Sequence, residues 1–140
     1  MDDSTRLLKK CVESTKSDKV IFLAHNGPAG LGSRRTDIWG RDFAKTGGDH
    51  GDPDLRSAID YAQEQGKKVV AVIAGHMHRQ VKGGGIRRGW VVENGVHFIN
   101  AAYVPRIFTR GSKTLHHHIR LLYQDSEVTV SDCFEESRAL

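Results

Sequence analysis

The sequence predicts an α/β domain, on three observations. Two short apolar runs, Lys19-Val20-Ile21-Phe22-Leu23-Ala24 and Lys68-Val69-Val70-Ala71-Val72-Ile73-Ala74, have the length and β-branched content of strands buried on both faces. Each follows a segment with helical apolar spacing. The last third of the chain then changes to strand-like runs separated by turn signals. The predicted order is helix, strand, helix, strand, then antiparallel strands. At 140 residues one domain, 1–140, accounts for the whole, and no repeat or linker divides it.

The first helix is expected over 5–16. Asp2 and Asp3 put negative charge at its start, Lys16 stands near its end, and Leu7, Leu8, Cys11 and Val12 form the apolar stripe. The first strand ends at His25-Asn26-Gly27-Pro28, where glycine and proline break the run. From Asn26 to Asp52 the chain is rich in Gly, Arg and Asp, and an irregular stretch of that length is either functional or disordered.

The second helix has the clearest signals. Asp52 caps it, Pro53 fits its first turn, Leu55, Ala58, Ile59 and Ala62 line one face, and Gly66 stops it. The second strand runs into Gly75-His76-Met77-His78, and Gly83-Gly84-Gly85 reads as a turn. Trp90-Val91-Val92-Glu93 and Val96-His97-Phe98-Ile99 flank Asn94-Gly95, the strongest short hairpin signal, which makes His97 structural. Leu115 to Tyr123 and Glu127 to Phe134 form another hairpin around Gln124-Asp125-Ser126. Alternation there packs His117 with Leu115, Ile119 and Leu121 and exposes His116 and His118.

Composition narrows the function. With 38% hydrophobic and 27% charged residues the chain is not a disordered one. No apolar run approaches the roughly 20 residues of a membrane span, so no membrane partner is expected. Met1-Asp2-Asp3-Ser4 does not begin a signal peptide and no transit peptide is visible, which predicts an intracellular protein. Cys11 and Cys133 lack CxxC spacing and read as buried thiols in a reducing compartment, in preference to a disulfide. The net charge of +4 is spread over Lys9-Lys10, Arg34-Arg35, Lys67-Lys68 and Arg87-Arg88, and aromatics are only 7%. A nucleic-acid stripe is therefore not expected. The basic pairs read as solvated surface with a mild attraction for anionic substrates.

Both predicted buried strands end in histidine: His25 after the first, His76 and His78 after the second. Ligands gather at the carboxyl ends of strands in a helix-covered sheet. An extended exit would put His76 and His78 on one side, because successive side chains alternate. Three imidazoles at adjacent strand ends can converge on a divalent cation.

Leu23-Ala24-His25-Asn26-Gly27-Pro28 resembles the fourth motif of calcineurin-like metallophosphoesterases, and Gly75-His76-Met77-His78 their fifth, Gly-His-x-His. Asn94 to Ala102 resembles the hairpin and Asn-Ala turn that follow it. Gly48-Asp49-His50-Gly51-Asp52-Pro53-Asp54-Leu55 and Val104-Pro105-Arg106-Ile107 resemble a branch of the family found in cyanobacteria and plants. The resemblance covers residues 5–135. It implies the C-terminal half of the family's layered β-sandwich flanked by helices. It also implies a divalent metal pair (Mn, Fe or Zn) that hydrolyses phosphate esters. His25 and His76 would bind one metal and His78 the other. Asn26, His50 and Arg106 are candidates for substrate contact.

The earlier motifs of the family, Asp-x-His, Gly-Asp-x-x-Asp and Gly-Asn-His-Asp/Glu, do not precede His25. Gly48-Asp49-His50-Gly51-Asp52 matches the second literally, but it follows no apolar strand and runs into a helix cap, so we read it as loop. Two functions are therefore expected in competition. One is a metal-dependent phosphoesterase whose remaining ligands come from a complementary N-terminal half. The other is a non-catalytic module that binds a partner or one weak metal. The first carries the expectation that this chain alone is inactive, and that it is a truncated gene product, a splice product or one piece of a complex. Incomplete cover of the sheet predicts self-association or binding of that half. A cytoplasmic or, from the branch resemblance, plastid location is expected.

Overall fold

Local signals set the best-defined helix. In the computed structural model, which describes residues 3–137, the Asp52 carboxylate accepts from the amides of Asp54 (2.8 Å) and Leu55 (3.3 Å), and α2 (Pro53–Glu64) starts there. Its buried face is Leu55, Ala58, Ile59 and Ala62, as the spacing predicts. The helix gives way at Gln65 to Gly66, whose φ of 76° suits glycine.

Two further groups of elements complete an α/β arrangement. α1 (Asp3–Ser14), β1 (Lys19–Leu23) and β2 (Lys68–Ala74) accompany α2, followed by β3 (Trp90–Glu93) and β4 (Val96–Asn100). They form a sheet of order β1-β2-β4-β3 in which β1, β2 and β4 are parallel and β3 is antiparallel to β4. The Asn94-Gly95 turn closes the β3–β4 hairpin with both residues at positive φ, as predicted. Beyond it, β5 (Ile107–Arg110), β6 (Lys113–Gln124) and β7 (Glu127–Glu136) make a separate antiparallel sheet of order β5-β6-β7. β6 alternates as expected, with His117 buried among half-buried Leu115, Ile119 and Leu121. The short β5, closed on β6 by the two-residue turn Gly111-Ser112, was not expected, although a Gly-Ser pair is a hairpin signal that could have announced it. Among the described residues no helix is long and apolar enough to cross a membrane.

Four expectations are corrected. β1 is not buried on both faces. Val20 and Phe22 pack on the core, whereas Ile21 and Leu23 are 46% and 78% exposed, because β1 is an edge strand and only its alternate side chains reach the core. The α1 stripe is only partly used: Val12 and Thr5 are buried, Leu8 is half-buried, and Leu7 and Cys11 face solvent. α1 leans on α2 through Thr5 Oγ1 donating to Asp54 (2.8 Å) and Tyr61 Oη donating to Glu13 (2.8 Å), which turns that side of the stripe outward. Asp2, read as part of its start, lies outside the described residues. The two cysteines are free, Cys11 exposed and Cys133 half-buried, so neither is the buried thiol expected.

Arg87 is the last correction. Read as surface charge, it is 1% exposed. Its Nε donates to the carbonyl of His78 (3.0 Å), its Nη1 to that of Asp37 (2.8 Å), and Nη2 lies 3.3 Å from Asp42 Oδ2. Burial pulls its pKa below the ordinary value while Asp42 opposes the shift, so the group is a buried, paired cation. It fastens the irregular stretch 24–52 to the end of β2. Ile38 and Trp39 sink into the core from the same stretch, and the Trp39 indole donates to Gly75 O (3.2 Å). Gly27 lies flat against that indole; a Cβ there would fall 2.0 Å from Trp39 Cε2.

Candidate functional site

Parallel pairing of β1 with β2 sets their carboxyl ends side by side. Leu23 faces Ile73, Ala24 N donates to Ile73 O (3.0 Å), and Gly75 N donates to His25 O (2.9 Å). The next side chains therefore meet: His25 Nε2 stands 2.9 Å from His76 Nδ1, with the rings edge to face. Residues far apart in the chain become neighbours because two strands run the same way.

His76 is presented by a turn, not by the extended exit that alternation requires. Its φ is 65°, a left-handed conformation uncommon outside glycine, and Met77 N donates back to Gly75 O (2.9 Å) while Met77 itself is buried. Strand alternation therefore does not set the directions of His76 and His78, contrary to expectation. His78 nevertheless lines the same open trough of ≈ 630 Å³ as His25, His76 and Arg106. Arg106 is exposed there and has no side-chain partner among the described residues.

A third ring joins from the irregular stretch. His50 Nε2 lies 3.1 Å from His76 Nε2, with ring centroids 5.1 Å apart. The His50 backbone is held from both sides: its N–H donates to Trp39 O (3.0 Å) and its carbonyl accepts from Asn26 Nδ2 (2.6 Å). Asn26, expected at the substrate, thus spends its amide nitrogen on positioning His50, while its buried Oδ1 has no partner. Asp49 accepts from Gly30 N (2.6 Å) and Gly51 N (2.7 Å) and Asp52 caps α2, in keeping with the loop reading of that segment.

The His76 pKa is lowered, first by burial and then by repulsion from His50, His25 and His78. Its neutral form, with a free lone pair, therefore persists to lower pH than in a free imidazole. Whether these residues suit a cation is a question of geometry. Two nitrogens on one ion at bonds of ~2.05 Å stand about 2.9 Å apart at a right angle and about 3.3 Å at the tetrahedral angle. Each imidazole pair comes near that range. His76, however, turns opposite nitrogens to its two neighbours, and among the described residues no three His, Cys, Asp or Glu side chains are grouped to hold a metal ion. Asp42 lines the cavity on the far side of His76 and His78, but its carboxylate accepts from Lys82 N (2.9 Å) and pairs with Arg87. The residues fit a cation held by two imidazoles; they do not fit a carboxylate-bridged metal pair.

Asn100, expected only as part of the Asn-Ala turn after the hairpin, is fully buried. Its Nδ2 donates to Ile38 O (3.1 Å) and Met77 O (2.7 Å), and its Oδ1 accepts from Ala102 N (2.9 Å). One side chain thereby ties the irregular stretch, the His76 turn and the end of β4 together. A lone Ile-Trp pair inside a polar stretch was the available sign that 24–52 is anchored. Comparison of the chain with known protein families, curated proteins and solved structures finds no match in any of the three.

Proposed function

We propose that the chain supplies the histidine side of a metal-dependent phosphoesterase site, with His25 and His76 as cation ligands, His78 beside them and Arg106 as a phosphate contact. The observation that carries this reading is the meeting of His25 and His76 at neighbouring parallel strand ends, in a trough that His78 and Arg106 also line. Arg106 extends a planar, permanently charged fork suited to phosphoryl oxygens. A cation bound at the imidazoles would supply Lewis acidity toward a phosphoryl oxygen. Mn, Fe and Zn all suit such donors. The bridging carboxylate would come from a complementary segment, the N-terminal half of the resemblance.

A second reading, a non-catalytic module that binds a partner or a single cation, is favoured by one observation: among the described residues no carboxylate completes the group of histidines. One experiment tests the first reading and separates it from the second. Zn²⁺ or Mn²⁺ binding is followed by calorimetry, and hydrolysis of p-nitrophenyl phosphate is followed with and without a segment carrying Asp-x-His and Gly-Asp-x-x-Asp. We expect binding that His76→Ala abolishes, background turnover by this chain alone, and turnover once the segment is added. Absence of binding to the intact chain defeats both cation readings. Binding without turnover in the reconstituted pair favours the module. Turnover by this chain alone, lost in His76→Ala, would overturn the proposed division of ligands.

A further inference from the structure

We propose that His50 is itself a cation ligand, forming with the Nε2 of His76 a second two-imidazole seat, opposite the one His76 shares with His25. The inference rests on the metal reading above and adds to it a residue from the irregular stretch.

Three observations carry it. The His50 and His76 Nε2 atoms are 3.1 Å apart, and the centroid separation of 5.1 Å places the rings nitrogen to nitrogen, not face on face. Such contact is also that of an N–H···N hydrogen bond, and seating a cation requires the His50 ring to tilt and the pair to open by a few tenths of an ångström, to about 3.3 Å. The His50 backbone does not need to move for this. It is clamped by Trp39 O and Asn26 Nδ2, so the ring alone turns, against an edge contact with the exposed Phe43.

The second observation is that local free energy is spent on this presentation. Asn26 leaves a buried Oδ1 unpartnered while fixing the His50 carbonyl, and His76 adopts a positive φ. Positive φ outside glycine is uncommon and collects where a side chain must be held for use. Here it falls on His76, and the Asn26 clamp falls on its partner His50.

The third is the division of the His76 ring. With Nδ1 toward His25 and Nε2 toward His50, the neutral ring offers its one lone pair to either side, so the two seats are alternatives: a cation on Nε2 leaves Nδ1 carrying the proton, as the donor to His25. A bound cation on the Nε2 side would pin the stretch 24–52 to the end of β2 through a ligand from each.

The test uses the intact chain and Zn²⁺ alone. Calorimetry is run on wild type, His50→Gln, His50→Ala, His25→Ala, His76→Ala and, as a control on the other sheet, His116→Ala. Nitrogen-15 spectra of the imidazoles report which His76 nitrogen changes on titration. Outer partners of a metal ligand are worth about 10–100-fold in affinity, so a direct ligand should be worth no less. We expect both His50 variants to weaken Zn²⁺ binding by about tenfold or more, with the His76 Nε2 resonance responding in wild type and silent in His50→Gln. His116→Ala should bind as wild type does. If His25→Ala and His76→Ala weaken binding but neither His50 variant does, this inference is overturned and the proposed function stands. If none of the variants weakens binding, both fall.

Discussion

β1 and β2 lie next to each other, run the same way and each deliver a histidine to one site, yet they are anchored very differently. β2 is hydrogen-bonded on both edges and buries Val69 through Val72. Its exit is held by Arg87, by Trp39 against Gly75 and by Asn100 against Met77. β1 has a partner on one edge only and turns Ile21 and Leu23 to solvent. The site therefore has a rigid side and a soft side. His76 stands on a buttressed turn, and His25 stands on an edge strand tied mainly through its neighbour.

The largest effect is expected at the buttress. Arg87→Ala should destabilise the chain by about 3–5 kcal/mol, the range for breaking a buried pair, because it leaves Asp42 with only the Lys82 amide and leaves the carbonyls of Asp37 and His78 without their donor. Urea denaturation followed by the fluorescence of Trp39 and Trp90 measures it. A loss below ~1 kcal/mol would mean that the β2 exit does not depend on Arg87.

Matched truncations then compare the strands directly. Val72→Ala, at a fully buried position, should cost about 2 kcal/mol, whereas Leu23→Ala at 78% exposure should stay within ~0.5 kcal/mol. Equal costs would erase the contrast between edge and centre.

The free edge carries a third expectation. Exposed apolar edge strands invite pairing, and charge on them suppresses it. We expect the wild-type chain to self-associate at micromolar concentration in sedimentation, and Leu23→Lys to move it toward monomer. A wild type that sediments as a monomer throughout that range would remove the edge as an interaction surface.

The smallest effect concerns protons. His76 should titrate below 6.5, the ordinary imidazole value, in a proton NMR titration. Between its lowered midpoint and 6.5 the unfolded chain binds more protons than the folded one. Stability therefore declines as pH falls through that window, and His76 adds no further loss below its own midpoint. The ring is largely exposed, so solvent screening keeps the contribution small. A midpoint at or above 6.5 would contradict the crowding of His76 by His50, His25 and His78.

The features legible in the residues alone are local ones. The Asp52 cap, Pro53 and Gly66 bound α2, Asn94-Gly95 closes β3 on β4, and alternation along β6 buries His117, because each signal acts within a few residues of the structure it makes. The placing of histidine at the ends of two strands was legible for the same reason. Tertiary structure alone decided which of two similar apolar runs lies at the edge, since that depends on what pairs beside it and not on its own period. It also decided that Arg87 is inside and that Ile38 and Trp39 anchor an otherwise polar stretch. Most consequential for the site, it brought His50 to His76 across 26 residues of chain through contacts at Asn26 and Trp39 that no local pattern encodes.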